Sequence, residues 1–145
     1  MKTSTILICS LLSAAVLTAK SGPAPSNSQQ CYSVTGYATY FTIKSCQREG
    51  TSGVLTASGR NYDEQSATIA LPFHPPIVNN RRQWGKRYRI TNLQTGKSII
   101  ARHWDYGPGK RARARGVVVD LSPMVFEAIG GELRQGRIKV KVEEI

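Results

Sequence analysis

Apolar and polar residues alternate over short stretches along most of this chain, and Gly, Pro, Asn and Ser separate the stretches. "GRIKVKVEE" near the end is the clearest case. Ile138, Val140 and Val142 fall on one side and Lys139, Lys141 and Glu143 on the other, the period of a half-buried strand. "KRYRITNL" alternates in the same way, with Tyr88, Ile90 and Asn92 on one face and Arg87, Arg89 and Thr91 on the other. It runs through "QTG" into "KSIIARHW", and a glycine at such a turn suits a positive φ, so Arg87–Trp104 is predicted to be a hairpin. "GYATYF" (Gly36–Phe41) is rich in aromatic residues and Thr, and "SATIAL" (Ser66–Leu71) stops at Pro72. "GVVVDL" is a continuous β-branched run, as expected of a strand buried on both faces. The helix signal follows in "SPMVFEAIGG": Ser122 as N-cap, Pro123 at the first turn, and Gly130 and Gly131 to end it. About six short strands with one short helix predict a mainly β domain that closes, or nearly closes, into a small barrel.

The N-terminus has a different character. Lys2 precedes an apolar run from Ile6 to Leu17, and small residues follow at Ser13, Ala14, Ala15 and Ala19. This pattern predicts a signal peptide over residues 1–19; the run is short for a bilayer span, so no stable membrane anchor is expected. "KSGPAPSNSQQ" (Lys20–Gln30) has two prolines and no apolar period and reads as a disordered linker, leaving one domain over residues 31–145. A secreted or periplasmic protein results. Cys9 leaves with the signal, and an even pair, Cys31 and Cys46, favours one disulfide in an oxidising compartment. The formal charge of +11 over 145 residues suits a polyanionic partner, and export turns that expectation from nucleic acid towards the envelope.

Candidate chemistry concentrates in "ARHWDYGPGKRARARGVVVDLS". Asp105 stands between His103, Trp104 and a glycine turn, ahead of Lys110, Arg111, Arg113 and Arg115. Two readings follow: a working carboxylate, or a turn residue tied to its own backbone or to Arg102 or Lys110. Asp120 ends the apolar run and is expected to be structural, bonding backbone amides. No phosphate-binding glycine loop, paired-cysteine site, HExxH motif or nucleophile elbow occurs, so neither metal nor cofactor is expected, and the chain reads as a monomer.

The segments "GYATYF", "LTASG", "LP", "RITNLQTGKSIIAR", "DYGPG", "GVVVDLS" and "GRIKVKVEE" occur in an order that resembles the RlpA (rare lipoprotein A) family over about Tyr37–Glu143. That family is related to expansins and family 45 endoglucanases. The resemblance implies a six-stranded double-psi β-barrel with a groove for a glycan strand. It also implies peptidoglycan, or another wall polysaccharide, as partner and lytic transglycosylation as activity. The alternative it carries is non-catalytic, expansin-like binding and wall loosening. The family's carboxylate in "D-x-G-P" falls on Asp105. Catalytic members also carry a glutamate directly after "TA-x-G", where Arg60 stands here, and a histidine shortly before "LP", where "TIALP" has none. Glu64 and His103 are therefore expected as further catalytic groups, and Tyr40, Trp104 and Asp63 as sugar-binding ones.

Overall fold

The computed structural model describes residues 31–145; the expected signal peptide and linker lie outside the described residues. Eight strands and three short helices follow one another. They are β1 (Ser33–Tyr40), α1 (Ile43–Arg48), β2 (Thr68–Leu71), β3 (Ile77–Val78), β4 (Arg81–Arg82), β5 (Arg87–Asn92), β6 (Ser98–Tyr106), α2 (Lys110–Arg113), β7 (Val117–Leu121), α3 (Pro123–Ala128) and β8 (Ile138–Glu144), with a 3-10 turn at Leu133–Gln135 before the last strand.

Six strands close into a barrel in the order β1-β7-β2-β6-β5-β8, and β3 and β4 form a separate two-stranded hairpin. Two pairs are parallel, β1 with β7 and β2 with β6, and the other four are antiparallel. Exchanging β1 with β6, β2 with β7 and β5 with β8 reproduces the same neighbours. The barrel is therefore two interlocked halves related by a pseudo-twofold, the double-psi arrangement.

The alternation read from sequence selects the interior. Tyr88, Ile90 and Asn92 of β5 are buried, as are Ile138, Val140 and Val142 of β8. Ala38, Ile69, Leu71, Val119, Leu121 and Phe126 join them in one core. Asn92 survives burial because its amide nitrogen donates to the Ile129 carbonyl at 3.0 Å and its oxygen accepts from the Gln94 amide at 2.9 Å. Gly96 takes φ 72° in the turn between β5 and β6. Ser122 caps α3 by accepting from the Val125 amide, and Gly130 beyond the helix has φ 81°.

Two expectations need correction. "GVVVDL" is not buried on both faces: Val117, Val119 and Leu121 point into the core, whereas Val118 and Asp120 are only partly covered. The bridge between Cys31 and Cys46 does not form, and both are free. Eight residues of β1 separate them, roughly 25 Å of extended chain, while a disulfide needs Cα atoms within about 7 Å. Tyr32, next to Cys31, packs on Phe73 and Tyr88 at one end of that strand; Cys46 sits on α1 beyond the other end.

Candidate functional site

Ala70 of β2 pairs with Asp105 of β6 on one side and with Asp120 of β7 on the other, and Asp120 pairs in turn with Thr39 of β1. One rung across four strands thus reads Thr39, Asp120, Ala70, Asp105. The two aspartate Cα atoms lie two strand spacings apart, roughly 10 Å. Ala70 between them is buried, and Gly107 packs over it, where a Cβ would lie 3.4 Å from the Ala70 methyl.

Asp105 reaches this position through an irregularity. Ile69 pairs with His103 and the next residue, Ala70, pairs with Asp105, so Trp104 is an extra residue bulged out of β6. "LTASG" (Leu55–Gly59) closes over the bulge. The Ser58 amide donates to the Trp104 carbonyl at 3.2 Å, and the Ala57 amide donates to Asp105 Oδ1 at 2.8 Å. Asp105 Oδ1 also accepts from the Tyr106 amide at 2.8 Å. One carboxyl oxygen is thereby fixed, while Oδ2 makes no protein hydrogen bond among the described residues. Burial raises the Asp105 pKa, opposed by the Ala57 and Tyr106 amides. No ion pair forms with Arg102, whose guanidinium donates to the Gly85 carbonyl at 3.0 Å, or with Lys110.

Asp120 is more deeply set. Thr39 Oγ1 donates to its Oδ1, and Gly107 lies so close that a Cβ there would be 2.9 Å from its Oδ2. Its pKa is pushed up to about 6, chiefly by burial, with the Thr39 hydrogen bond opposing and the charges of Glu49 and Asp105 adding. The backbone-amide partners expected of Asp120 are absent; its bonded partner is a side chain on the neighbouring strand. Alternation in β7 is the sequence signal that could have found it, since Asp120 shares the outer face with Val118.

Two neighbouring cavities adjoin the rung, one at Asp105 and one at Thr39 and Asp120. The first, about 320 Å³, surrounds Asp105 and is walled by Phe41, Leu55, Tyr62 and Tyr106. Tyr62 stacks on Phe41 at 4.5 Å and donates its hydroxyl to the Phe41 carbonyl at 2.8 Å. The second, about 600 Å³, surrounds Asp120 and meets Tyr40, Lys110, Arg111 and Arg115. Phe41, Cys46 and Glu49 line both. A separate cavity of about 220 Å³ lies against Trp104, Arg60 and Asp63.

The remaining expected residues divide. Tyr40 lines the second cavity and packs edge-on against Phe126 at 5.3 Å. Trp104 meets the separate cavity, its ring covered by the Arg60 guanidinium at 4.4 Å. Asp63 meets that same cavity while its carboxylate accepts from the Gln65 amide at 2.9 Å, a turn closing on itself. Glu64 is not in the groove lining: its Oε1 accepts from the Ile43 amide at 2.7 Å, tying off the N-terminus of α1. His103 is not at the groove either. It is fully buried, with Phe73, Trp84 and Tyr88 rings around it at 5.5, 5.1 and 6.1 Å, and neither ring nitrogen has a partner. Burial lowers its pKa to about 4, so it is a neutral core residue at physiological pH. His74, by contrast, stacks on Tyr106 at 4.6 Å beside the first cavity.

No family model matches the chain. Among curated proteins it is similar to the endolytic peptidoglycan transglycosylase RlpA of Pseudomonas aeruginosa, 34% identical over 124 residues, covering 83% of this chain and 30% of that protein. A Nostoc protein named "Probable endolytic peptidoglycan transglycosylase RlpA" is 32% identical over 98 residues, 66% of this chain and 22% of its own length. The chain therefore spans under a third of the length of these relatives. Among solved structures, a point mutant of the Clavibacter michiganensis expansin in complex with cellohexaose superposes with a TM-score of 0.50 at 16% identity, over 79% of this chain and 50% of that one, a likeness of fold alone. The motif order, the interlocked barrel and identity along most of the sequence converge on one conclusion: the chain belongs to the RlpA-like double-psi β-barrel family.

Proposed function

We propose that this protein acts in the cell envelope, where it binds wall glycan along the groove and cleaves it as a lytic transglycosylase of RlpA type. The observation that carries the reading is Asp105: a half-buried carboxyl with one oxygen held by two amides and the other free towards the cavity. Its raised pKa increases the protonated fraction near neutrality. Protonated Asp105 gives its proton to the glycosidic oxygen as the C–O bond breaks, and the departing sugar leaves as an alcohol. The carboxylate then stabilises the oxocarbenium-like centre on the retained sugar and takes the proton of that retained sugar's own 6-hydroxyl as its O6 closes on its C1. One carboxyl serves as acid and then base, and no water is consumed.

A second reading, expansin-like binding without cleavage, has its own support. Arg60 stands where catalytic relatives carry a glutamate, Glu64 is spent on α1, and His103 is sealed in the core. Incubation with insoluble peptidoglycan and mass analysis of the released sugars separates the two. Cleavage yields 1,6-anhydro ends, and Asp105→Asn lowers their release by about 10²–10⁴-fold while the protein still unfolds cooperatively. Saturable binding with no new ends would establish the binding module instead.

A further inference from the structure

One segment rests on the barrel without hydrogen bonds to it. Between β2 and β5, the connector Pro72–Trp84 carries β3 and β4, and every hydrogen bond it makes among the described residues closes on the connector itself. Its hairpin residues Ile77, Val78, Arg81 and Arg82 are exposed. Ring contacts hold it instead. Phe73 packs on Tyr32 at 4.9 Å and on His103 at 5.5 Å, Trp84 packs on His103 at 5.1 Å, and His74 stacks on Tyr106 at 4.6 Å. The first backbone tie comes at Gly85, just past the connector, whose amide donates to the His103 carbonyl at 2.9 Å.

Both ends of the connector therefore close on His103. The imidazole is fully buried and neither nitrogen meets an acceptor in bonding geometry, so a proton there would create a cation with nothing to receive its N–H groups. The surrounding groups do not relieve it. Burial is the main cost, the Asp105 backbone offsets part of it, and the charges of His74 and Lys86 add to it. From β5 comes the Tyr88 phenol and, behind Phe73, the Tyr32 phenol, both of which burial keeps protonated. β2 presents only Ile69. On the same strand as His103, Arg102 donates to the Gly85 carbonyl and the Asp105 carboxyl faces the groove.

We propose that the connector is an acid-released strap: a proton on His103 lifts Phe73 and Trp84 away, water solvates the imidazolium, and the barrel stays closed. The strap is the side that yields because Ile69 and Tyr88 belong to strands held by ladders, whereas Phe73 and Trp84 do not. Release also takes His74 from Tyr106, a wall of the Asp105 cavity, so the groove loses a brace as pH falls.

The test is residue-resolved amide hydrogen exchange of the whole chain from pH 7 to pH 5, corrected for the intrinsic dependence of exchange on pH. Gly85 reports the strap and the amides of β8 report the barrel. His103 titrates near 4 under the strap and near 6.5 once exposed, so opening at Gly85 should rise by about 20-fold over that range. The β8 amides should change far less, because the groove carboxyls oppose His103 when the whole barrel opens. His103→Phe keeps a ring under the strap that takes no proton and should make Gly85 exchange independent of pH. His103→Leu, which also cannot ionise, serves the same purpose where the larger ring overfills the core. His74→Ala should keep the response. A flat Gly85 profile in the wild type overturns the strap, and so does a rise that survives both His103 variants. Loss of the response in His74→Ala would move the trigger to that residue and overturn the role of His103. If the β8 amides open in step with Gly85, the barrel unfolds as one unit and there is no separate strap.

Discussion

His103 and Asp105 are two residues apart on one strand, yet one is sealed in the barrel and the other faces the groove. Strict alternation from Ala101 and His103 would carry Asp105 inside as well. The bulge at Trp104 changes the count, so Asp105 falls opposite Ala70 and shares the outer face with Asp120. The same burial then acts on the two groups with opposite sign. It removes charge from both, holding the histidine neutral and deprotonated and pushing the carboxyls towards their neutral, protonated form. Parity tells which residues build the core; departures from parity tell where the site is.

The largest expected effect sharpens that contrast through stability against pH. His103 titrates near 4 in the folded protein and near 6.5 unfolded, so between these values the unfolded chain holds the extra proton. Its contribution to stability therefore rises with pH across that window and is lost on acidification, by roughly 3 kcal/mol. Asp120 titrates at about 6 folded against 3.8 unfolded, so here the folded state holds the extra proton. Its contribution falls as pH rises from about 4 to 6, also by roughly 3 kcal/mol, and Asp105 adds in the same direction. The two oppose each other in the wild-type profile. Denaturant unfolding from pH 4 to 7 checks this: His103→Phe should lose stability as pH rises, and Asp120→Asn should gain it. Parallel profiles in the two variants would mean that the interior and groove environments are not opposed.

A middle-sized effect acts on the bulge. Gly85 has φ 85°, and a Cβ there would lie 2.5 Å from the Trp104 ring. Its amide also donates to the His103 carbonyl at 2.9 Å, so the residue is pinned. Gly85→Ala combines a left-handed backbone with an overlap and should cost about 2 kcal/mol. Because the displaced ring drags on the Asp105 register, glycan cleavage should fall by more than the stability loss explains at 25 °C. Loss of stability with unchanged turnover would separate the bulge from the site.

Much of this barrel was legible because its strands bury one face each. The alternation in β5 and β8, the turn at Gly96 and the Ser122–Pro123 helix start each state a local preference that the fold keeps. α1 was missed although Thr42 and Ser45 cap it reciprocally, because the pattern is short and no apolar stripe follows it. β3, β4 and α2 are exposed, with no buried face to leave a period. At the candidate site, Asp105 was singled out through its motif. The error over His103 came from weighing its residue type above its parity, which already put it with Ala101. Glu64 was sought for its nearness in sequence to a missing glutamate, but the Ile43 amide claims it, a contact between segments that a linear pattern cannot display.

The smallest effect concerns what covers the bulged residue. Arg60 lies over the Trp104 ring at 4.4 Å. An exposed cation over an aromatic face contributes about 0.5–1 kcal/mol, and the stem of the arginine shields ring surface besides. Arg60→Ala should therefore lower stability by no more than about 1 kcal/mol, while exposing the indole to solvent and shifting its fluorescence to the red. If the tryptophan face is a sugar platform that the arginine blocks, the variant should bind neutral chitin more tightly than the parent. If the pair serves only to hold the bulge, binding should be unchanged and the loss confined to stability. Either result locates Trp104 on one side of the division drawn by β6, as part of the scaffold that turns Asp105 outward or as part of the surface that Asp105 serves.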